Sequence, residues 1–212
     1  MTCTKPERPA GFRHWPGYLD GARQAALLAE VLSRAADAPF YTPTLPRSGR
    51  AMRVRMTNLG PLGWVTDKAG GYRYQVHHPV TGAPWPDIPE ALIEIWEGLG
   101  GYRAPPEACL VNYYGRDSRL GLHVDADEAA QDAPVLSVSL GDPALFRIGG
   151  PGRRDPTGSV WLESGDVMAL TGPARHCHHG VDRIRFGECG LIAGGGRINL
   201  TLRRVSLPVG AC

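Results

Sequence analysis

The hydrophobic pattern changes its period once along this chain, near Cys109. Before that point, "GARQAALLAEVLSRAAD" carries Ala25, Leu28, Val31 and Leu32 at helical spacing, and Asp20 is suited to cap the first turn. "IPEALIEIWEGLGG" predicts a second helix from about Pro89, stopped in the Gly98–Gly101 region. From Cys109 onward, "CLVNYYG", "PVLSVSLG", "ALFRIGG", "SVWLES", "DVMALTG" and "RINLTLRR" are short alternating runs separated by Gly, Pro and Asp, which predicts strands. The last run divides most cleanly. Arg197, Asn199, Thr201 and Arg203 share one face, and Ile198, Leu200 and Leu202 share the other. Helices followed by a β-rich half with regular turns predict an α+β fold with a double-stranded β-helix, or jelly-roll, core.

Composition narrows the picture without redirecting it. The 212 residues suffice for one domain with a continuous apolar core, and 42% hydrophobic with 21% charged residues is ordinary for a soluble protein. The 28 Gly and 19 Pro favour short strands and turns over long helices. No linker or repeat calls for a second core, so residues 1–212 read as a single domain with about 1–50 as an N-terminal helical flank. No apolar run reaches the length of a membrane span, and "MTCTKPERPAGFRHWPGYL" lacks the apolar region of a secretory signal, so a cytoplasmic protein is expected. The five cysteines (Cys3, Cys109, Cys177, Cys189 and Cys212) are scattered and form no CxxC, which fits reduced thiols. Net charge is only +2, and of 23 basic residues only Lys5 and Lys68 are lysine. This charge permits a nucleic-acid partner and does not require one.

Three elements carry candidate chemistry. In "GLHVDADE" an extended backbone lets His123 and Asp125 face the same way, towards one ion. "RHCHHGVD" offers His176, His178 and His179 as a distant imidazole. Two imidazoles and one carboxylate, with positions left open, form the ligand set of non-haem Fe(II) oxygenases. Spacing alone leaves the choice among the three histidines open, against a plain histidine-rich loop. In "RINLTLRR", Arg197 and Arg203 flank Asn199 on one face, a pattern suited to a small dicarboxylate such as 2-oxoglutarate. A solvated strand face is the plain alternative.

Taken in order, His-x-Asp, a distant His-Gly and Arg-x-Asn-x-Thr-x-Arg resemble the AlkB family of Fe(II)- and 2-oxoglutarate-dependent dioxygenases, in particular its bacterial nucleic-acid repair branch. Similar blocks are "MTNLGPLGW" (56–64), "HPVTGAPWPDIP" (78–89), "LVNYYG" (110–115), "HVDADE" (123–128), "PVLSVSLGDPALF" (134–146), "SGDVMALTG" (164–172) and "RINLTLRR" (197–204). They span most of the chain from about residue 52, while the first fifty residues match only loosely.

The resemblance implies a nucleotide-recognition lid at about 51–105 and a jelly-roll catalytic core at about 106–212. It implies His123, Asp125 and His179 as ligands of Fe(II), and Arg197 and Arg203 as holders of the two ends of 2-oxoglutarate, supported by Asn112, Tyr114 and Asn199. Dioxygen is the other cosubstrate. The implied reaction is oxidative demethylation of bases such as N1-methyladenine and N3-methylcytosine in DNA or RNA, with release of formaldehyde, succinate and carbon dioxide. Alternatives are the same chemistry on a protein side chain or small molecule, or a metal-binding jelly roll without turnover. A monomer is expected. An enzyme acting on a base must take it out of the stack. Trp64, Tyr72 and Tyr74 are implied in the lid over that base, Asp127 as an acceptor from its exocyclic amine, and Arg153 at the pocket mouth. Glu128 reads as a weaker, rim-like candidate, and Arg47, Arg50, Arg53 and Arg55 as phosphate contacts or a solvated face. The chain departs from the family in one extra residue between Trp64 and Tyr72, and in His178 and Ile148 at positions that are aromatic in the bacterial repair enzyme.

Overall fold

The computed structural model describes residues 8–208, so Cys3 and Cys212 lie outside the described residues. Two antiparallel sheets face one another. In spatial order the main sheet runs β1 (Phe12–Trp15), β10 (Val167–Leu170), β7 (Val135–Gly141), β12 (Arg197–Arg203), β5 (Ala108–Tyr114) and β2 (Arg55–Leu59). The minor sheet runs β6 (Leu120–His123), β11 (His179–Ile184), β8 (Ala144–Ile148) and β9 (Gly158–Leu162). This is the expected double-stranded β-helix. A two-stranded hairpin, β3 (Gly63–Asp67) and β4 (Gly71–Gln75), stands apart from both sheets.

The alternation along β12 builds the two sides of the main sheet. Ile198, Leu200 and Leu202 have almost no exposure and pack with Val111, Leu136, Val138 and Val167 under the helices. Full burial of each such side chain contributes roughly 1.5–3 kcal/mol. The helices are α1 (Gly21–Asp37) and α2 (Glu90–Ile95), the latter continued by a π-turn over Trp96–Gly100. Asp20 caps α1 as expected, accepting from the Arg23 backbone amide at 2.8 Å. The buried stripe of α1 is Leu27, Leu28, Val31 and Ala35, whereas Ala25 and Leu32 are exposed. The apolar face is therefore rotated from the one that the spacing of Ala25, Leu28 and Leu32 suggested, because Leu27 joins Val31 against Leu92 and Trp96 in one core. Gly101 ends the second helical segment in the left-handed region, at φ 63°, a conformation glycine adopts without steric cost.

The expected division of the chain needs redrawing. Of the stretch expected as lid, only β3–β4 is separate; β2 pairs with β5 at the edge of the main sheet, and α2 packs on its outer face. The expected helical flank also contains β1, which pairs with β10. These strands join the main sheet because its ladder leaves each edge strand with backbone groups to satisfy. Among the described residues, no helix is long and apolar enough to cross a membrane.

Candidate metal centre and the network around it

His123 and His179 come together through strand pairing. His123 closes β6, His179 opens β11, and the two are direct antiparallel partners. Their rings lie 4.6 Å apart between centroids. Gly180 permits this approach: a Cβ there would sit 2.5 Å from the Leu120 carbonyl oxygen. The ring tautomers follow from the backbone. Nδ1 of His123 donates to the Gly121 carbonyl at 2.9 Å, and Nδ1 of His179 donates to the Cys177 carbonyl at 3.0 Å. A carbonyl only accepts, so each Nδ1 carries the proton and each Nε2 offers its lone pair.

Asp125 completes the group, its two oxygens 3.5 Å from the two Nε2 atoms. One donor atom from each of the three residues lies within 4.8 Å of the others. Oδ1 of Asp125 accepts from Arg203 at 2.7 Å, but Oδ2 is buried and has no hydrogen-bond partner. An orphaned carboxylate oxygen costs free energy unless a cation completes it. Two lone-pair nitrogens and one free carboxylate oxygen fit a divalent ion, and with no thiolate in the set they suit ferrous iron. His176 is exposed at the end of a 3-10 turn over Gly172–His176, and neither it nor His178 joins the group.

The adjoining cavity is lined by Asn112 and Tyr114 from β5 and by Arg197, Asn199 and Arg203 from β12, the five expected cosubstrate residues. Burial pushes the Tyr114 phenol up to about 12, so it stays protonated as a neutral donor. Arg197 is almost wholly buried and donates to Ser139 Oγ at 2.6 Å and to the Leu162 carbonyl at 3.1 Å. Among the described residues it has no acidic partner at ion-pair distance, and its Nε is unpaired. Burial lowers its pKa to about 10, which still leaves a cation at neutral pH. A buried cation without a counter-ion beside the metal group fits an anionic cosubstrate. Asn199 is fixed by Ser137 and Thr201.

Arg203 differs from the expectation of a free carboxylate holder. Its guanidinium spans Asp125 Oδ1 and Glu128 Oε1, both at 2.7 Å, and leaves Nε unpaired. Glu128 is not at the rim; it is 4% exposed and takes a second buried cation, Arg175, at 2.7 Å. Arg175 was not expected from the sequence. It also donates to the backbone carbonyl of Asp125 and, at 3.3 Å, to that of Ala133. Burial alone would raise the Asp125 and Glu128 carboxyls, but Arg203 heads the opposing influences and holds Asp125 well below, and Glu128 below, the usual carboxylate range.

A depressed folded-state pKa means that the native protein binds fewer protons than the unfolded chain around pH 4. This stability is fully present above the unfolded glutamate value of about 4.3 and is lost as pH falls towards the folded value. The urea midpoint of the metal-free protein should therefore drop less between neutral and acid pH in Glu128→Gln than in the parent. Equal drops would assign the acid sensitivity elsewhere.

The lid hairpin meets this network at two points. Trp64 is bracketed by the Asn58 side chain, which accepts from its backbone amide at 3.1 Å and donates to its carbonyl at 3.0 Å. Its indole Nε1 then donates to Asp127 Oδ2 at 2.7 Å. The hairpin register pairs Trp64 with Tyr74 and Thr66 with Tyr72. The exposed Tyr72 stacks on Trp64, with 5.6 Å between centroids. Tyr74 instead turns inward and donates its hydroxyl to Glu128, so it braces the pocket rather than offering a stacking face. Arg153 is exposed in the loop between β8 and β9, with no ion pair among the described residues.

Comparison with known proteins agrees with this geometry. A family model described as the 2OG-Fe(II) oxygenase superfamily matches residues 11–203. The chain is 56% identical over 194 residues to an alpha-ketoglutarate-dependent dioxygenase AlkB homolog of Caulobacter vibrioides, covering 92% of this chain and 87% of that one. It is 38% identical over 188 residues to the alpha-ketoglutarate-dependent dioxygenase AlkB of Escherichia coli, covering 84% and 83%. A solved structure of OsALKBH1 superposes with a TM-score of 0.75 at 31% identity, covering 94% of this chain and all of that one.

Proposed function

The chain belongs to the 2OG-Fe(II) oxygenase superfamily and, within it, to the AlkB family, as an Fe(II)- and 2-oxoglutarate-dependent dioxygenase; on that premise we propose that it demethylates N-alkylated bases in nucleic acid. The observation that carries the substrate reading is the Trp64–Tyr72 stack beside Asp127, at the edge of the metal-bearing segment. A stacked aromatic pair next to a carboxylate, Trp64 half-buried and Tyr72 exposed, suits a flipped base, which needs a stacking partner and an acceptor for its exocyclic amine.

Each residue then has a role. His123, Asp125 and His179 hold the iron, and Arg197 supplies the buried positive charge for one carboxylate of 2-oxoglutarate. The unpaired Nε of Arg203, with Asn112, Tyr114 and Asn199, is available to the rest of that molecule. When bound, the iron supplies the site at which dioxygen is activated at the expense of 2-oxoglutarate. The protein excludes water and directs the base's methyl carbon at that site. The overall change is N–CH3 plus O2 plus 2-oxoglutarate to N–H plus formaldehyde, succinate and CO2. The Trp64 indole stacks on the base, and Asp127, steadied by Trp64 Nε1, accepts from the amine through its other oxygen. Arg153 meets the backbone phosphates at the pocket mouth.

The test is mass spectrometry of oligonucleotides carrying N1-methyladenine or N3-methylcytosine after incubation with protein, Fe(II), 2-oxoglutarate and ascorbate. Loss of the methyl mass is the expected result. Substrate-independent succinate with untouched DNA and RNA would move the reading to a protein or small-molecule substrate. In the same assay Trp64→Ala should raise the oligonucleotide KM roughly tenfold, since base–aromatic stacking is worth about 1–3 kcal/mol. Asp127→Ala should lose more in demethylation than in substrate-free 2-oxoglutarate turnover, and equal losses would remove Asp127 from base contact.

A further inference from the structure

We infer that Arg175 and Glu128 form a buried positioning pair that presents Asp125 to the metal through one oxygen only. This inference rests on the metal reading of His123, Asp125 and His179. Four charges interlock with little solvent access: Arg175 with Glu128, Glu128 with Arg203, and Arg203 with Asp125, every link at 2.7 Å. Two cations and two anions balance, so the group can be buried without a leftover charge.

The consequence for Asp125 is geometric. Arg175 fixes its backbone carbonyl, and Arg203 fixes its Oδ1. With both ends held, the side chain has little freedom to rotate, and Oδ2 is the oxygen left without a partner. Glu128 is the shared counter-ion that keeps both guanidiniums in place, each oxygen serving one of them. The same carboxylate accepts from the Tyr74 hydroxyl, so the lid hairpin is seated on the group that orients the metal carboxylate. Neither Arg175 nor Glu128 belongs to the three-residue donor group itself. Both act through Asp125.

Lysine at position 175 keeps the charge but lacks the planar fork, so it cannot reach Glu128, the Asp125 carbonyl and the Ala133 carbonyl together. Glutamine at position 128 keeps the shape and removes the charge shared by the two guanidiniums. The probe is Co(II), titrated into the full-length protein while its visible absorption and thermal midpoint are followed. Arg175→Lys and Glu128→Gln should each weaken Co(II) binding about 10- to 100-fold, the range found when the outer partners of metal ligands are removed. They should also alter the Co(II) bands, because Asp125 Oδ1 is no longer reserved for Arg203. The double variant should be no weaker than the worse single one, since both act through the same carboxylate. A folded Arg175→Lys or Glu128→Gln with Co(II) affinity within twofold of the parent overturns the proposal and leaves the pair a stabilising one only. If Arg175→Lys does not fold, Glu128→Gln decides by the same threshold. A parent protein whose Co(II) affinity does not depend on His123, tested by His123→Ala, would instead overturn the metal reading itself.

Discussion

Asp125→Asn should abolish demethylation and 2-oxoglutarate turnover together, a loss of at least about 1000-fold, equivalent to roughly 4 kcal/mol of transition-state stabilisation. The carboxylate is placed to serve two cations at once: Oδ1 accepts from Arg203, and Oδ2, 3.5 Å from His179 Nε2, has no hydrogen-bond partner. Asparagine has one carbonyl oxygen and one NH2 group. If the oxygen stays with Arg203, the NH2 points to where the ion would sit; if the amide flips, two donors meet at Arg203. Neither orientation supplies a charged oxygen to the metal. Circular dichroism should show a folded protein, because Glu128 still neutralises Arg203. Titration with Co(II) should show affinity near that of His123→Ala. An Asp125→Asn protein that still binds Co(II) as tightly as the parent would remove Asp125 from the ligand set.

How far the sequence foretold this site depends on where each contact is encoded. The two faces of β12 were readable because a strand has period two, and Arg197 to Arg203 keep it without interruption. His123 and Asp125 were readable as a pair by the same i, i+2 spacing, although β6 ends at His123 and Asp125 lies just beyond it. The third ligand was not readable from spacing. The backbone turns through Gly172–His176 before extending at His179, and no periodicity reveals where that turn ends. The resemblance of the whole set of blocks pointed to His179. Arg175 was missed because its partners, Glu128 and Asp125, lie 47 and 50 residues away and leave no local mark. One weak signal existed, an arginine beside Ala174 and two residues before Cys177, two small apolar residues that are both buried. Glu128 was misjudged because an acidic run looks solvated until the cations that bury it are known. Tyr72 and Tyr74 share a face by period two, yet one stacks on Trp64 and the other reaches Glu128, a split set by the neighbouring elements.

Arg197→Met should separate binding of the cosubstrate from stability of the fold. Buried ion pairs usually punish removal of one partner by about 3–5 kcal/mol, because the other charge is stranded. Arg197 has no such partner: its contacts are Ser139 Oγ and the carbonyls of Leu162 and Asp142. In the metal-free, 2-oxoglutarate-free protein, methionine removes an uncompensated buried charge and strands only neutral acceptors, at about 1 kcal/mol each. These effects oppose one another, so the urea midpoint should move little. Binding should respond differently. With 2-oxoglutarate present, the guanidinium becomes half of a buried pair, and its loss should raise the 2-oxoglutarate KM by a factor on the order of 150 to 5000, the equivalent of the same 3–5 kcal/mol. The parent should gain about 2.7 kcal/mol of stability when 2-oxoglutarate is supplied at 100 times its Kd, and Arg197→Met should gain almost none at that concentration. Arg197→Lys should fall between them, retaining charge without the bidentate fork. A methionine variant that keeps the full 2-oxoglutarate-dependent shift would mean that the cosubstrate does not use this cation. One that unfolds without 2-oxoglutarate would mean that Ser139, Leu162 and Asp142 depend on the guanidinium more than a buried lone charge can explain.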